Sequence, residues 1–279
     1  MYSKGAAAVF ALSLLVLNIA YARQLDVIGP VGATMYNNAT IHLGKVGPGE
    51  SFYVLANSSS LNNNGVYVNI GWDTLKAVNL PAGWSSQASP LYENPMKMKI
   101  TVSPNAQNGT YMLILRAVNV QNYSGLGNLT FYAYVNVTPD VFGLTVASTE
   151  LKTGIGQPTN IYIRINNTGI SDDPFSISTE NLPAWNITRN VISLHSTANT
   201  YAYPVFENEP GVYNFNLTVS SATSGVIRKT YPMKLVVRES LISDFNSVGN
   251  GVVLTPIIFE PAYAVMALIS EALRTYSGQ

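Results

Sequence analysis

The sequence predicts an all-β chain of two tandem β-sandwiches, with an N-terminal signal helix and a short C-terminal apolar helix. Three observations support this prediction. Short runs of alternating apolar and polar residues continue from residue 25 to residue 238 between clusters of Gly, Pro, Asn and Ser, which is typical of strands and turns. The length of 279 residues suits two sandwiches of roughly 100 residues each. The two halves also repeat short motifs in the same order.

The composition narrows the class of protein. Charged residues make up 11% of the chain and the formal net charge is zero, whereas a typical globular protein has about 25% charged residues. Clustered Lys and Arg, which a nucleic-acid-binding surface needs, are missing from the sequence. The sequence has no cysteine, which excludes disulfides and thiolate chemistry. For an exported chain, this lack of cysteine favours an archaeal or bacterial source.

The first 22 residues have the layout of an export signal. Lys4 is followed by an apolar stretch over residues 5–19 and then by Ala20-Tyr21-Ala22. This order predicts a secretory signal peptide over residues 1–22, cut between Ala22 and Arg23. Two alternatives remain open. Residues 5–22 can serve as an uncleaved anchor helix, or the segment resembles a prepilin-type signal that is cut after Lys4 and keeps its helix.

Asparagine acceptor motifs indicate where the chain is exposed. Nine N-x-[ST] motifs occur, about twice the number that chance would supply, and we expect these asparagines to carry N-linked glycans. The acceptors are Asn38, Asn57, Asn108, Asn122, Asn128, Asn136, Asn166, Asn186 and Asn216. In the alternating run over residues 128–138, the two acceptors fall on the polar face. The motifs therefore predict a glycoprotein whose sandwiches face the cell exterior.

The internal repeat sets the predicted domain limits. The motif Asn79-Leu-Pro-Ala-Gly-Trp84 has a counterpart in Asn181-Leu-Pro-Ala-Trp185, and a Gly-x-Tyr motif recurs at the same offset. We expect the two tryptophans to anchor a loop on each core rather than to stack on sugars. The predicted units are a signal peptide over residues 1–22, sandwiches over residues 23–139 and 140–238, and an apolar tail over residues 239–279. Predicted strands cover residues 51–54, 66–70, 96–103, 111–117, 129–137, 161–165, 175–178, 200–205, 212–219 and 231–237.

A further motif completes a recognisable order. The first half contains Gly47-Pro-Gly-Glu-Ser-Phe-Tyr-Val54 before the Leu-Pro-Ala motif, and the second half contains Gly156-Gln-Pro-Thr-Asn-Ile-Tyr-Ile163. Over about residues 40–238 this order resembles the immunoglobulin-like (Ig-like) domains of prokaryotic surface proteins. Examples are the NPCBM-associated domain of α-galactosidases and CARDB-like adhesion repeats, which are common in archaeal envelope proteins. The resemblance implies an Ig-like fold and an extracellular role, and it brings no catalytic residues. The second half departs from the pattern because it lacks the Gly before Trp185.

Residues suited to catalysis are sparse. His42 and His195 lie far apart without metal-ligand spacing, and no nucleophile, zinc, P-loop or dinucleotide motif occurs. Glu207 and Glu209 suit a glycosidase only if another carboxyl comes within about 5 to 10 Å, and a Glu-Pro-Gly turn explains them equally well. We therefore predict that the chain is not an enzyme and has no cofactor.

One loop offers oxygen ligands for a metal. Asp172 and Asp173 follow the Asn-Asn-Thr-Gly run at residues 166–169, so their carboxylates are candidates for binding Ca²⁺. The alternative is a solvated turn in which an aspartate caps its own backbone. Beyond this candidate, no metal site is predicted.

The tail differs in character from the rest of the chain. Residues 252–273 are almost continuously apolar, and apolar residues after Pro261 recur at helical spacing. The residues expected to contact a partner or a membrane are Ile257, Ile258, Phe259, Val265, Met266, Ile269 and Leu273. A transmembrane span is one interpretation, although Glu260 opposes it. The others are packing on the second sandwich and docking on another envelope protein.

Together, these patterns favour a secreted or cell-surface, N-glycosylated structural or adhesive envelope protein, associated with an archaeal S-layer or membrane through its tail. Its expected partners are other envelope proteins, the membrane and glycans, with no nucleic acid. Two alternatives stay open. One is a pilin-like or other extracellular filament subunit, and the other is a carbohydrate-binding accessory protein.

Overall fold

The computed structural model describes residues 23–61, 66–69, 71–122, 126–182 and 187–239, which form nineteen β-strands. The predicted signal helix with its cleavage position after Ala22 lies outside the described residues. So does the apolar tail from residue 240 onward, with every predicted contact residue from Ile257 to Leu273.

The first eleven strands build one sandwich. They are β1 (Leu25–Gly29), β2 (Ala33–Met35), β3 (Thr40–Val46), β4 (Ser51–Ala56), β5 (Ser60–Leu61), β6 (Tyr67–Val68), β7 (Thr74–Asn79), β8 (Ser85–Gln87), β9 (Met96–Thr101), β10 (Gly109–Val118) and β11 (Asn128–Val137). One sheet has the order β2-β1-β4-β9-β8, the facing sheet has the order β3-β11-β10-β7, and β5 pairs with β6.

The remaining eight strands build a second sandwich. They are β12 (Phe142–Val146), β13 (Glu150–Gly154), β14 (Thr159–Asn167), β15 (Asp173–Glu180), β16 (Arg189–Ser193), β17 (Ala198–Val205), β18 (Gly211–Ser221) and β19 (Arg228–Arg238). One sheet has the order β12-β14-β17, and the other has the order β13-β19-β18-β15-β16.

The connections are those of Ig-like sandwiches. In each unit the chain starts in one sheet, at β1 or β12, and then crosses to the other. After crossing, β3 pairs parallel with the last strand β11, and β13 pairs parallel with the last strand β19. The remaining ladders are antiparallel, and each pair of sheets holds the A-B-E and G-F-C strand order of an Ig-like domain. The all-β prediction and the tandem Ig-like arrangement are therefore confirmed for the described residues.

Alternating apolar side chains fill two separate cores. In β11, Leu129, Phe131 and Val135 point inward and are fully buried, because successive strand residues face opposite sides of the sheet. The first core extends to Val137, and the second begins at Val141. The change from one core to the other thus falls between Val137 and Val141.

Some strands depart from the sequence prediction. The predicted strand over residues 66–70 is described only at Tyr67–Val68. The Pro-Gly turn of the first half predicts an edge strand after it, but the strand that begins at Ser51 is central in its sheet, between β1 and β9. Nine strands were not among the predicted ones, and β3 shows one reason; the nine are β1, β2, β3, β5, β7, β8, β12, β13 and β16. At Gly44, which has a φ of 121°, its register against β11 shifts, and the bulge breaks the alternation by which strands are recognised.

Candidate functional site

The two sandwiches meet at a junction that contains direct hydrogen bonds. The Ile170 N–H donates to the Lys45 carbonyl at 2.8 Å, and the Ser171 hydroxyl donates to the Ser51 carbonyl at 2.7 Å. Ile170 also packs against the core of the first sandwich. A loop of the second sandwich is therefore attached to the first sandwich at two backbone positions.

Glycines permit close packing at this junction. A Cβ at position 47 would lie 2.1 Å from the Cδ1 atom of Ile227, so no residue larger than glycine fits there without a shift of Ile227. Gly49 has a φ of 84°, and a Cβ there would lie 3.1 Å from the Thr223 carbonyl oxygen. The Gly-Pro-Gly-Glu motif of the first half thus forms the surface on which the loop over residues 221–227 packs.

Two acidic side chains are buried against each other at the same junction. Glu50 follows the Gly-Pro-Gly turn and Asp173 begins β15, and each is 1% exposed. Glu50 Oε2 accepts the Gly47 N–H at 2.6 Å. Asp173 Oδ1 accepts hydroxyl hydrogens from Ser221 and Thr223, each at 2.9 Å. Asp173 Oδ2 is buried and has no hydrogen-bond partner among the described residues.

The burial of this pair changes its acidity. Removal from water disfavours the charged form of a carboxyl. Burial raises the pKa of Glu50 to about 7, and the nearby Asp173 adds to the increase although the Gly47 N–H opposes it. Burial likewise raises the pKa of Asp173 above its ordinary value, against the hydroxyls of Ser221 and Thr223. The first carboxyl therefore titrates near neutral pH.

The structure separates the two calcium candidates. The Asp172 carboxylate is exposed and accepts the backbone N–H of His195 at 2.8 Å, and it contacts His195 Nδ1 at 2.6 Å. Burial raises the pKa of Asp172, but these contacts with His195 outweigh that effect and leave the pKa below its ordinary value. Asp173 instead points into the junction. Within the described ranges, no group of three or more His, Cys, Asp or Glu side chains is arranged to hold a metal ion.

The acceptor asparagines lie at the surface wherever they are described. Six are exposed and two are half-buried. The exposed ones are Asn38, Asn108, Asn122, Asn128, Asn136 and Asn166, the half-buried ones are Asn57 and Asn216, and Asn186 lies outside the described residues. The geometry leaves these eight side chains accessible to a glycosylating enzyme, and glycan attachment itself stays a prediction.

An aromatic surface crosses the outer face of the first sandwich. Met112, Tyr134 and His42 lie side by side on β10, β11 and β3, and the rings of His42 and Tyr134 stack at 5.2 Å with an interplanar angle of 20°. We call these three residues the aromatic row. Tyr132 and the acceptor Asn136 flank the row on the same face of β11. The sequence analysis did not single out this surface, because the three residues come from distant segments.

The other residues that the sequence offered for catalysis or sugar binding, where they are described, lie at a backbone turn or in a hydrophobic core. Glu207 is buried beside the backbone turn at Gly156, and the Glu209 carbonyl accepts the Tyr213 hydroxyl at 2.9 Å. Trp84 is buried in the first core against Tyr111, as predicted, and Trp185 lies outside the described residues. In the part of the chain that the structure describes, no helix is long and apolar enough to span a membrane.

Glu50, which has the largest pKa shift among the described carboxyls, was not singled out from the sequence. A charged residue after Pro-Gly normally indicates an exposed turn, and only the contact with a distant segment buries it. A faint signal is present in the motif itself, because two glycines beside a glutamate permit another backbone to approach closely.

Comparison with known proteins adds little to this geometry. No protein-family model and no curated protein matches the chain. Among solved structures, the fibronectin(III)-like modules of Clostridium thermocellum CbhA match with 11% identity and a TM-score of 0.25, over 77% of this chain and 94% of theirs. A chimeric titin Z1Z2 matches with 13% identity and a TM-score of 0.34, over 78% of this chain and 99% of that chain.

The adhesin InvE of Yersinia pseudotuberculosis matches with 10% identity and a TM-score of 0.26, over 68% of this chain and 56% of that one. At such low scores and identities the likeness supports no conclusion about function. The assignment to tandem Ig-like sandwiches rests instead on the strand order and the two cores.

Proposed function

We propose that this chain is a secreted or cell-surface glycoprotein with a structural or adhesive role in a prokaryotic envelope, and that it performs no catalysis. The observation that carries the proposal is the position of the acceptor asparagines. None of the eight described acceptors is buried, six of them are exposed, and they are distributed over both sandwiches. Burial of several of them would have contradicted a glycosylated surface.

Two further features support a spacer or adhesion module. The sandwiches are joined through direct contacts at the junction rather than only by a flexible linker. The charge content is low, so contacts with neighbours depend on polar and aromatic groups rather than on ion pairs. In this proposal the apolar tail attaches the chain to the membrane or to another envelope protein.

The test is to locate the native protein and map its modifications. Intact cells are treated with a protease that cannot enter them, and the released peptides are analysed as glycopeptides by mass spectrometry. We expect peptides from both sandwiches to be released and the acceptors to carry glycans. Recovery of the chain only from lysed cells, with unmodified acceptor asparagines, would refute the proposal.

The aromatic row favours carbohydrate binding as a second candidate function. It places the rings of His42 and Tyr134 beside the exposed Met112 on the outer face of the sheet, and ligand-binding surfaces are commonly lined by aromatic and apolar side chains. Binding is measured on a polysaccharide array with the wild-type chain, Tyr134→Ala and the control Tyr162→Ala. Tyr162 is an exposed tyrosine of the second sandwich. Carbohydrate binding predicts loss in the first variant only, and an array without signal removes the candidate.

The filament alternative depends on residues 5–22. The mature N-terminus of the native protein distinguishes this alternative from a secretory signal cleaved before Arg23, because prepilin-type processing leaves a chain that begins at Gly5.

A further inference from the structure

We propose that Glu50 and Asp173 share a single proton across the domain junction, and that losing this proton loosens the junction, so that the relative orientation of the two sandwiches responds to pH. The two carboxyls come from different sandwiches and are both 1% exposed. Their side chains are in contact, and this contact adds to the increase in the pKa of Glu50 and opposes the increase that burial causes in the pKa of Asp173.

The hydrogen-bond geometry leaves a place for this proton. Glu50 Oε2 accepts the Gly47 N–H, and Asp173 Oδ1 accepts two hydroxyls. The other oxygen of Asp173, Oδ2, is buried and without a partner among the described residues. Two ionised carboxylates have no hydrogen between them. When Glu50 is protonated, its hydroxyl can donate to Asp173 Oδ2, and the unsatisfied acceptor gains its hydrogen bond.

No cationic side chain in the described part of the chain neutralises the pair. Within the described residues, neither carboxyl takes part in an ion pair. Ionisable groups on the packed segments have other partners. Asp172 contacts His195, Lys229 forms an ion pair with Asp140, and Lys97 and Lys45 act on Asp172 and Asp140, respectively. A second negative charge at the junction is therefore uncompensated.

Deprotonation consequently places two like charges in a region shielded from water. Like charges in a low dielectric repel each other, and the repulsion is relieved when water enters and the sandwiches separate locally. The contacts that open are those around the pair, including the hydrogen bond from Ser171 to Ser51 and the packing of Ile227 on Gly47. The released proton passes to the solvent that enters.

The experiment measures domain orientation as a function of pH. Because the chain has no cysteine, Lys76→Cys and Lys152→Cys in the full-length chain place one spin label on each sandwich, at exposed positions of β7 and β13. Pulsed electron paramagnetic resonance then gives the distribution of distances between the labels from pH 5 to pH 9. We expect a narrow distribution at pH 5 that widens or shifts toward pH 9, with a midpoint near pH 7.

Glu50→Gln provides the decisive variant. Glutamine keeps an acceptor for the Gly47 N–H and offers a neutral donor to Asp173, so the distribution should stay narrow at both pH values. Glu150→Gln is the matched control, since it removes an exposed carboxylate that pairs with Lys234, and it should keep the pH response. His195→Gln should keep it as well, because the imidazole contacts Asp172 rather than the buried pair.

Several results would overturn the proposal. A wild-type distribution that is unchanged between pH 5 and pH 9 would do so, as would a Glu50→Gln variant that keeps the response or is broad at pH 5. Loss of the pH response in His195→Gln would show that His195, and not the pair of Glu50 and Asp173, causes the response. A response that disappears on addition of a divalent-metal chelator would mean that the pair holds a cation rather than a proton.

Discussion

Replacing Glu50 by glutamine tests the energetics of the buried pair. Burial raises the pKa of Glu50 from 4.5 to about 7, so the folded chain holds this proton more tightly than the unfolded chain does. Below pH 4.5 both states are protonated and the stabilising effect is fully present. As the pH rises toward 7, the unfolded state loses its proton first, and the free energy of unfolding falls. Above about pH 7 the decrease ends.

The size of the change in the free energy of unfolding follows from the two pKa values of Glu50. Each tenfold change in proton affinity is worth about 1.4 kcal/mol, so the change from 4.5 to about 7 corresponds to about 3 kcal/mol. Glu50→Gln cannot ionise and should lack this decrease. We expect it to match the wild type near pH 4.5 and to exceed it by as much as about 3 kcal/mol at pH 8.

The assay is urea denaturation at several pH values, followed by circular dichroism and by tryptophan fluorescence so that separate unfolding of the two sandwiches is detected. The contact of Asp172 with His195 lowers the pKa of Asp172, so its contribution is lost only in more acidic solution and does not affect this range. The reasoning is refuted if the variant shows the same loss of stability between pH 4.5 and pH 7 as the wild type.

Four further predictions follow from the packing and the surface. Gly47→Ala should destabilise the chain by about 1 to 3 kcal/mol in urea denaturation, because its Cβ meets Ile227 Cδ1, and adding Ile227→Val, which removes that atom, should restore part of the loss. Phe175→Ala should cost about 3 to 5 kcal/mol by the same assay, because Phe175 is fully buried; a cost below 1 kcal/mol would contradict the packing. Asp172→Asn should change stability by less than about 1 kcal/mol, because its contact with His195 is solvent-exposed. Asn136→Gln should remove one glycan mass from the native protein and leave its circular dichroism spectrum unchanged; an unaltered mass would show that this site is unoccupied.

The fold was largely predictable because alternation and turns are local properties. The buried positions of β11, such as Phe131 and Val135, follow from a strict alternation over ten residues. The strand β3 was not found, because Gly44 interrupts its alternation with a bulge. The short strand β13 was missed for a related reason, since its residues are mostly half-exposed and give no apolar run.

The candidate sites were less predictable because they depend on contacts between distant segments. The acceptor asparagines can be found from three-residue motifs. The pairing of Glu50 with Asp173 arises only when two sandwiches pack together, and near Glu50 in the sequence only the two glycines of the Gly-Pro-Gly turn indicate a close approach. The aromatic row likewise brings His42 beside Tyr134 through a parallel pairing of β3 with β11, which local periodicity does not specify.

The measurement that tests the central claim most directly is the mature N-terminus of the chain recovered from the surface of native cells, determined by peptide mass spectrometry. An exported envelope protein with a cleaved signal should begin at Arg23. A chain that is found only inside cells and still begins at Met1 would contradict export and, with it, the proposed role.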